Sequence, residues 1–306
     1  MPLLVALVIK EMQTWLRGRL TFAVFGSVVL ILCTLFVVLA LRVLGPEANQ
    51  PPPATQAPGT GNTVNAFIVT NRALLLFASM GLCVLLTSAA VAPAVAASAF
   101  AGERERGMMD LLLLQAPGPG RIVLGKVIAA FLFSLLVLLV SLPLFGPAWS
   151  FGGVSTEFMT MLGVVVLTST LLFTAIGVFF SSMLLGVLSA TIFAQGAALF
   201  FLFGLPGIYL VAQLAGAGEA VQPILWLNPF ASVLSAGGNT SDALARAAPP
   251  AIRGLISLPT GAWVPGFTVP AWAIGSTLWT LIAVLLMAFS TVAIDPNHPW
   301  RLRRRA

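Results

Sequence analysis

Residues 158–218 read FMTMLGVVVLTSTLLFTAIGVFFSSMLLGVLSATIFAQGAALFFLFGLPGIYLVAQLAGAG, 61 residues with no Asp, Glu, Lys or Arg. A charge at the centre of a bilayer costs about 2.5–3.5 kcal/mol on insertion scales, so a run this long marks membrane-spanning sequence. One spanning helix takes about 20 apolar residues; this run therefore holds two. The best internal turn is Ser181-Ser182 through Gly186, which predicts helices near Phe158–Phe180 and Val187–Gln213. Charge-free stretches also occupy 20–41, 73–102, 127–156 and 254–294. They predict single spans near Leu20–Ala40, Ala73–Ala97, Val127–Trp149 and Pro270–Ile294. The expected fold is all-α, a polytopic membrane protein with six transmembrane helices in a single transmembrane domain over 1–306.

The whole-chain composition agrees. Of 306 residues only 8% are charged and 59% are hydrophobic, with a mean hydropathy of +1.03. Soluble domains carry roughly 25% charge, and so few charges could not cover a water-exposed surface. Disorder is excluded too, because disordered chains are poor in apolar residues. The pI near 10.7 reflects topology rather than nucleic-acid binding, since membrane proteins collect Lys and Arg on cytoplasmic loops. Cys33 and Cys83 lie in apolar stretches and read as small hydrophobes, not as a disulfide or metal pair. The one histidine, His298, stands in the terminal tail.

With six spans both termini share a side. Lys10, Arg17, Arg19, Arg104, Arg106, Arg121, Lys126, Arg301, Arg303, Arg304 and Arg305 fall there, against Arg42, Arg72, Arg246 and Arg253 opposite. The positive-inside rule then places both termini in the cytoplasm. No cleavable signal is evident at the start of the chain. Residues 1–19 read instead as an amphipathic surface helix, with Leu4, Val8, Met12 and Trp15 on one face and Lys10, Gln13 and Arg17 on the other. Glu11 breaks the pattern by falling on the apolar side. An irregular cytoplasmic tail is the plainer alternative.

Residues 45–71 are expected to form an outer loop, from Pro46, Pro51, Pro52, Pro53, Pro58, Gly59 and Gly61. The outer segment 214–269 is apolar enough, with Trp226, Phe230, Ile252 and Trp263, to pack back on the membrane domain as short helices. Residues 295–306 form a basic cytoplasmic tail. In the second span, small residues from Ser88 to Ala99 permit close helix packing. Pro93 within them reads either as a moving joint or as a tolerated proline in a well-packed helix.

The segment 101–126 is the most informative. It begins Ala101-Gly102-Glu103-Arg104-Glu105-Arg106-Gly107-Met108-Met109-Asp110, continues through four leucines to Pro117-Gly118-Pro119-Gly120, and closes on Arg121-Ile122-Val123-Leu124-Gly125-Lys126. Seven of the 24 charged residues fall within residues 103–126, more than a simple reversal between spans requires. The pattern predicts a short cytoplasmic helix with a charged start, an apolar body and a hard stop. The alternative is a solvated loop whose arginines set topology.

This run resembles the signature of type-2 permeases of ATP-binding-cassette (ABC) transporters. Lys10-Glu11 and Leu16-Arg17 before the first span, the Ser181-Ser182 turn, and Leu227-Asn228-Pro229-Phe230 before the last span extend the resemblance over essentially the whole chain. Met108, Asp110 and the uncharged 181–186 turn depart from the usual pattern. The resemblance implies a permease subunit in a prokaryotic inner membrane that pairs with a second permease copy and with cytoplasmic ABC ATPase subunits. ATP and Mg would sit on that partner, with no cofactor, metal or catalytic residue on this chain. Glu103, Arg104, Glu105, Arg106 and Asp110 would meet complementary charges on the ATPase, and Lys10, Glu11 and Arg17 would add surface-helix contacts. Export is the implied direction.

Competing readings fail on their chemistry. Gly120 to Val127 nearly matches a phosphate-binding loop, but Val127 offers no hydroxyl for magnesium and no strand precedes it. A hydrolase lacks a nucleophile–base pair at membrane depth. Secondary transporters and ion channels keep charges within their spans, and these spans are empty. A membrane scaffold that recruits a cytoplasmic partner without moving cargo remains the second hypothesis.

Overall fold

The computed structural model of the chain describes residues 2–16, 26–28, 30–35, 37–38, 41, 61–109, 118–146, 156–235, 261–264 and 267–295. In chain order the elements are α1 (Pro2–Leu16), α2 (Gly61–Glu105), α3 (Pro119–Leu139), α4 (Thr156–Met183), α5 (Val187–Leu199), a π-helical turn (Phe200–Gly204) and α6 (Leu205–Leu214). A helical turn at Gly218–Val221, a 3-10 turn at Gln222–Leu227 and α7 (Pro229–Ser235) follow. Strands β1 (Gly261–Val264) and β2 (Phe267–Val269) pair antiparallel, Gly261 opposite Val269, before α8 (Ala271–Ile294). Apart from this hairpin the described residues are helical wherever they are regular.

Among the described residues five segments are long and apolar enough to cross a membrane: Phe77–Glu105, Pro119–Leu139, Thr156–Met183, Val187–Leu214 and Ala271–Ile294. The expected span 20–40 falls largely outside the described residues; within it, 26–28 and 30–35 are helical. Two boundaries differ from the charge-based expectation for one reason: a charge limits what lipid can cover, not where a helix stops. Thus α2 begins at Gly61, inside the segment expected as outer loop to residue 71, and it runs past Arg72. It ends at Glu105 rather than Ala97, so Glu103 to Glu105 close a long helix instead of opening a short one. The remainder of that expected short helix, 110–117, lies outside the described residues. Likewise α3 starts at Pro119, with the proline in its first turn where no N–H is needed, and it carries Lys126 two turns inside. It stops ten residues before Trp149, because Pro143 cannot extend it and restricts Leu142 before it.

The middle of the bundle is α4. Leu172 through Val178 are all buried, so this helix is covered on every side at that level. It packs most extensively against α2, then against α8 and α5, while α3 joins α1, α2 and α4. Gly177 makes the closest approach possible: a Cβ there would stand 2.6 Å from both Ala96 Cβ and the Pro93 carbonyl oxygen. Ala89, Ala92, Ala96 and Ala97 are fully buried against this contact. The small residues of α2 therefore serve packing, and the helix continues through Pro93.

By contrast, the outer faces of α5, α6 and α8 present Leu188, Ile192, Phe193, Phe203, Val211, Leu281, Val284 and Phe289, all exposed, as hydrocarbon solvent requires. Several hydroxyls inside the spans close back on their own helices. Ser134 donates to Ala130 O, Thr174 to Thr170 O and Thr191 to Val187 O, so no polar group of theirs faces lipid.

Candidate functional site

The last seven residues of α2, from 99 to 105, hold four other helices. On one side Lys126 of α3, with its side chain 1% exposed, places Nζ 2.9 Å from Glu103 Oε1, 2.9 Å from Glu11 Oε1 of α1 and 2.7 Å from the Ala99 carbonyl oxygen. The Phe100 ring lies 5.2 Å below the ammonium, a cation–π contact. A buried ammonium persists only where its three donors find acceptors, and here they find all three. Because Glu11 reaches this lysine, α1 must turn that residue inward. The exception in the amphipathic pattern of residues 1–19 is thus the anchor of α1. Val8 and Met12 are half-buried beside it, whereas Val5, Ile9, Lys10 and Gln13 are exposed.

On the other side α2 grips the reversal between α4 and α5. Ser181 Oγ accepts from the Phe100 and Ala101 amides, at 2.9 and 3.0 Å. The Arg104 guanidinium donates Nη2 to Ser182 O at 3.0 Å and Nη1 to Leu184 O. These carbonyls belong to the C-terminal end of α4, where helices leave unpaired acceptors and a negative dipole end. Glu105 Oε1 accepts from the Val187 amide at 2.7 Å, the first turn of α5 with its unpaired donors and positive end. Gly186, preceding that turn, supplies no side-chain cap. One arginine and one adjacent glutamate therefore cap both sides of a three-residue turn from a third helix.

The end of α2 is itself sealed. Gly107 adopts φ +68°, Met108 N donates to Glu103 O at 2.9 Å and Gly107 N to Arg104 O at 3.1 Å. This is the Schellman arrangement that glycine favours. It points the backbone of 106–108 away from the helix axis, and Arg106 and Met108 are exposed.

Of the residues singled out in the sequence, the structure brings Glu11, Glu103, Arg104 and Glu105 together within the chain, and leaves Arg106 and Lys10 at the surface. Asp110 and Arg17 lie outside the described residues. Lys126 and Ser181 were not assigned a role by sequence reasoning. The signals for them were Glu11 on an apolar face, and Lys126 two turns past the helix-starting Pro119.

Farther into the bundle two prolines are each answered by an amide side chain. Pro93 has no N–H for the Ala89 carbonyl four residues before it, and Gln195 Nε2 of α5 donates to that oxygen at 3.0 Å. Pro206 likewise denies an N–H to Leu202 O, and by the π-helical spacing to Phe201 O. Asn228 Nδ2 donates to both, at 2.8 and 2.6 Å, while its Oδ1 accepts from Ala231 N and caps α7. Trp279 Nε1 of α8 completes the joint by donating to Leu227 O at 2.8 Å. Among the described residues no group of three or more His, Cys, Asp or Glu could hold a metal ion.

A comparison with curated proteins finds no match. A family profile described as ABC-2 family transporter protein matches residues 5–294, a range that takes in the charged hub, both proline joints and all five apolar spans. The chain belongs to the ABC-2 family of transporter membrane proteins.

Proposed function

We propose that this chain is the membrane-spanning permease subunit of an ABC exporter, forming the translocation pathway and coupling it to a separate ATPase. The observation that carries the proposal is the hub at 99–105, where α2 is bonded to α3, α4 and α5, and through Lys126 of α3 is tied to α1, at one end of the bundle. A load applied to α1 or to the segment after α2 is thereby delivered to four helices together. The ATPase, with its ATP and Mg, docks at this end, which faces the cytoplasm of a prokaryotic cell. A second permease copy completes the pathway.

Six crossings fit this arrangement. Ile294, at the end of α8, packs with Phe100, Ile122 and Val123, and α1 is held at the same end by Lys126. At the other end, Phe77 of α2 meets Phe145 and Phe158. The connection from α1 to α2 has to change ends, which a span over 20–40 supplies.

Co-expression with the ATPase encoded beside it should give a complex that survives purification. Reversing Glu103 or Glu105 would break bonds inside the chain, so the docking test uses the exposed Arg106. Arg106→Glu should weaken ATPase association by about 1 kcal/mol, roughly fivefold, in a pull-down titration. Absence of any ATPase in the purified complex would refute the permease reading. ATP-driven cargo movement in vesicles would separate it from a scaffold.

A further inference from the structure

Arg104 and Glu105 stand in the most charged segment of the chain, yet their bonds point inward. Arg104 Nη2 reaches Ser182 O at 3.0 Å, Nη1 reaches Leu184 O, and Glu105 Oε1 takes the Val187 amide at 2.7 Å. Between the Leu184 and Val187 contacts lie only Leu185 and Gly186, and Leu184 N is bonded back to Phe180 O at 2.9 Å. The turn contains no Asp, Glu, Lys or Arg, so the unpaired backbone groups of its helix ends draw their hydrogen-bond partners from α2. We propose that Arg104 and Glu105 are positioning residues: they staple the α4–α5 turn to the end of α2, so that these three helices shift as one body when the end of α2 is displaced.

This inference rests on the permease reading and refines it. Docking to the ATPase falls to the neighbouring exposed groups, and Arg104 and Glu105 carry the displacement into α4 and α5, which contact no part of the surface helix α1 as extensively as α3 does. The two roles make opposite demands on Glu105. A docking glutamate needs its negative charge; a capping glutamate needs an acceptor at Oε1. Glu105→Gln keeps the acceptor and removes the charge, whereas Glu105→Ala removes both.

The test places nitroxide labels at Met108 and Leu185, both exposed, in a chain with Cys33 and Cys83 replaced by Ala and purified with its ATPase. The staple predicts one narrow label separation, unchanged between the nucleotide-free complex and the complex trapped with ATP and vanadate. Glu105→Gln should match the parent. Arg104→Ala with Glu105→Ala should broaden the distribution and let it change with nucleotide, while ATP hydrolysis continues. Amide exchange at Val187 should quicken about five- to tenfold in Glu105→Ala, the loss expected of a helix cap, and be unchanged in Glu105→Gln.

A nucleotide-dependent separation in the parent overturns the proposal. So does Glu105→Gln behaving as Glu105→Ala, because the charge would then be the active property. If no ATPase co-purifies with the parent chain, the permease reading fails separately. The width of the label distribution and the Val187 exchange, both measurable on the chain alone, still decide whether the staple exists.

Discussion

Replacing Lys126 by Met keeps an unbranched apolar stem and removes the ammonium. Glu11 and Glu103 would then face each other across a site that is 16% and 21% exposed at their side chains, without their shared cation. Breaking a buried pair from one side costs about 3–5 kcal/mol, and the partial exposure of both carboxylates sets the lower end as the expectation. Thermal unfolding in detergent should show it, and Glu103→Gln added to Lys126→Met should recover part of the loss. A full loss retained in the double variant would mean that the lysine acts through Ala99 and Phe100 alone. At this scale the sequence was legible only in part. Glu11 announced itself as an intruder on an apolar face, and Lys126 as a charge inside a helical run. Their partnership spans 115 positions, and no local periodicity carries information over that distance.

The helices were legible where hydropathy alone sets their limits. The expected segments 158–180, 187–213 and 270–294 stand within a few residues of Thr156–Met183, Val187–Leu214 and Ala271–Ile294. Boundaries failed at α2 and α3, because a helix obeys backbone hydrogen bonding beyond the point where lipid ends. Gly107 was the missed stop signal for α2, and Pro143 for α3. Pro93 was legible as a special position inside a span, but the compensation of Pro93 and Pro206 was not, since the donors lie far away in sequence. Gln195 answers Pro93, and Asn228 answers Pro206.

That compensation is testable as a cycle. Gln195→Leu should cost about 1 kcal/mol, a typical interhelical hydrogen bond in a membrane. In a Pro93→Ala background, where the substituted alanine would offer its own N–H to Ala89 O, the same change should be nearly neutral. Equal costs in both backgrounds would show that the amide serves some other group. For Asn228 the two functions separate differently. Asn228→Asp keeps the cap on α7 but aims a carboxylate oxygen at two carbonyls, so it should unfold earlier than Asn228→Ser.

Over the whole molecule, α1, the end of α2, the α4–α5 turn and Ile294 gather at one end, while Gly216 and Glu219 follow α6 at the other. By the charge count of the sequence, that first end is expected to face the cytoplasm. Single cysteines at Met108 and Leu185, in the cysteine-free chain, should therefore react with a membrane-impermeant maleimide only from the cytoplasmic face. A cysteine at Glu219 should react only from the outside; the reverse pattern would invert the protein. The ABC-2 family membership and five of the six expected apolar segments were readable because both are sums over many residues; the sixth, 20–40, lies largely outside the described residues.

The staple also has a consequence for how the chain is made. Arg104 leaves the ribosome 78 residues before Ser182, the first of its two acceptors, which at about 5–20 residues per second is a wait of roughly 4–16 s. Throughout that interval the α4–α5 turn offers its guanidinium no acceptor, so the contact between α2 and the turn forms only after Ser182 and Leu184 have followed. Synthesis thus imposes an order on assembly, with Lys126 arriving first and the knot at Leu184–Gly186 tied afterwards.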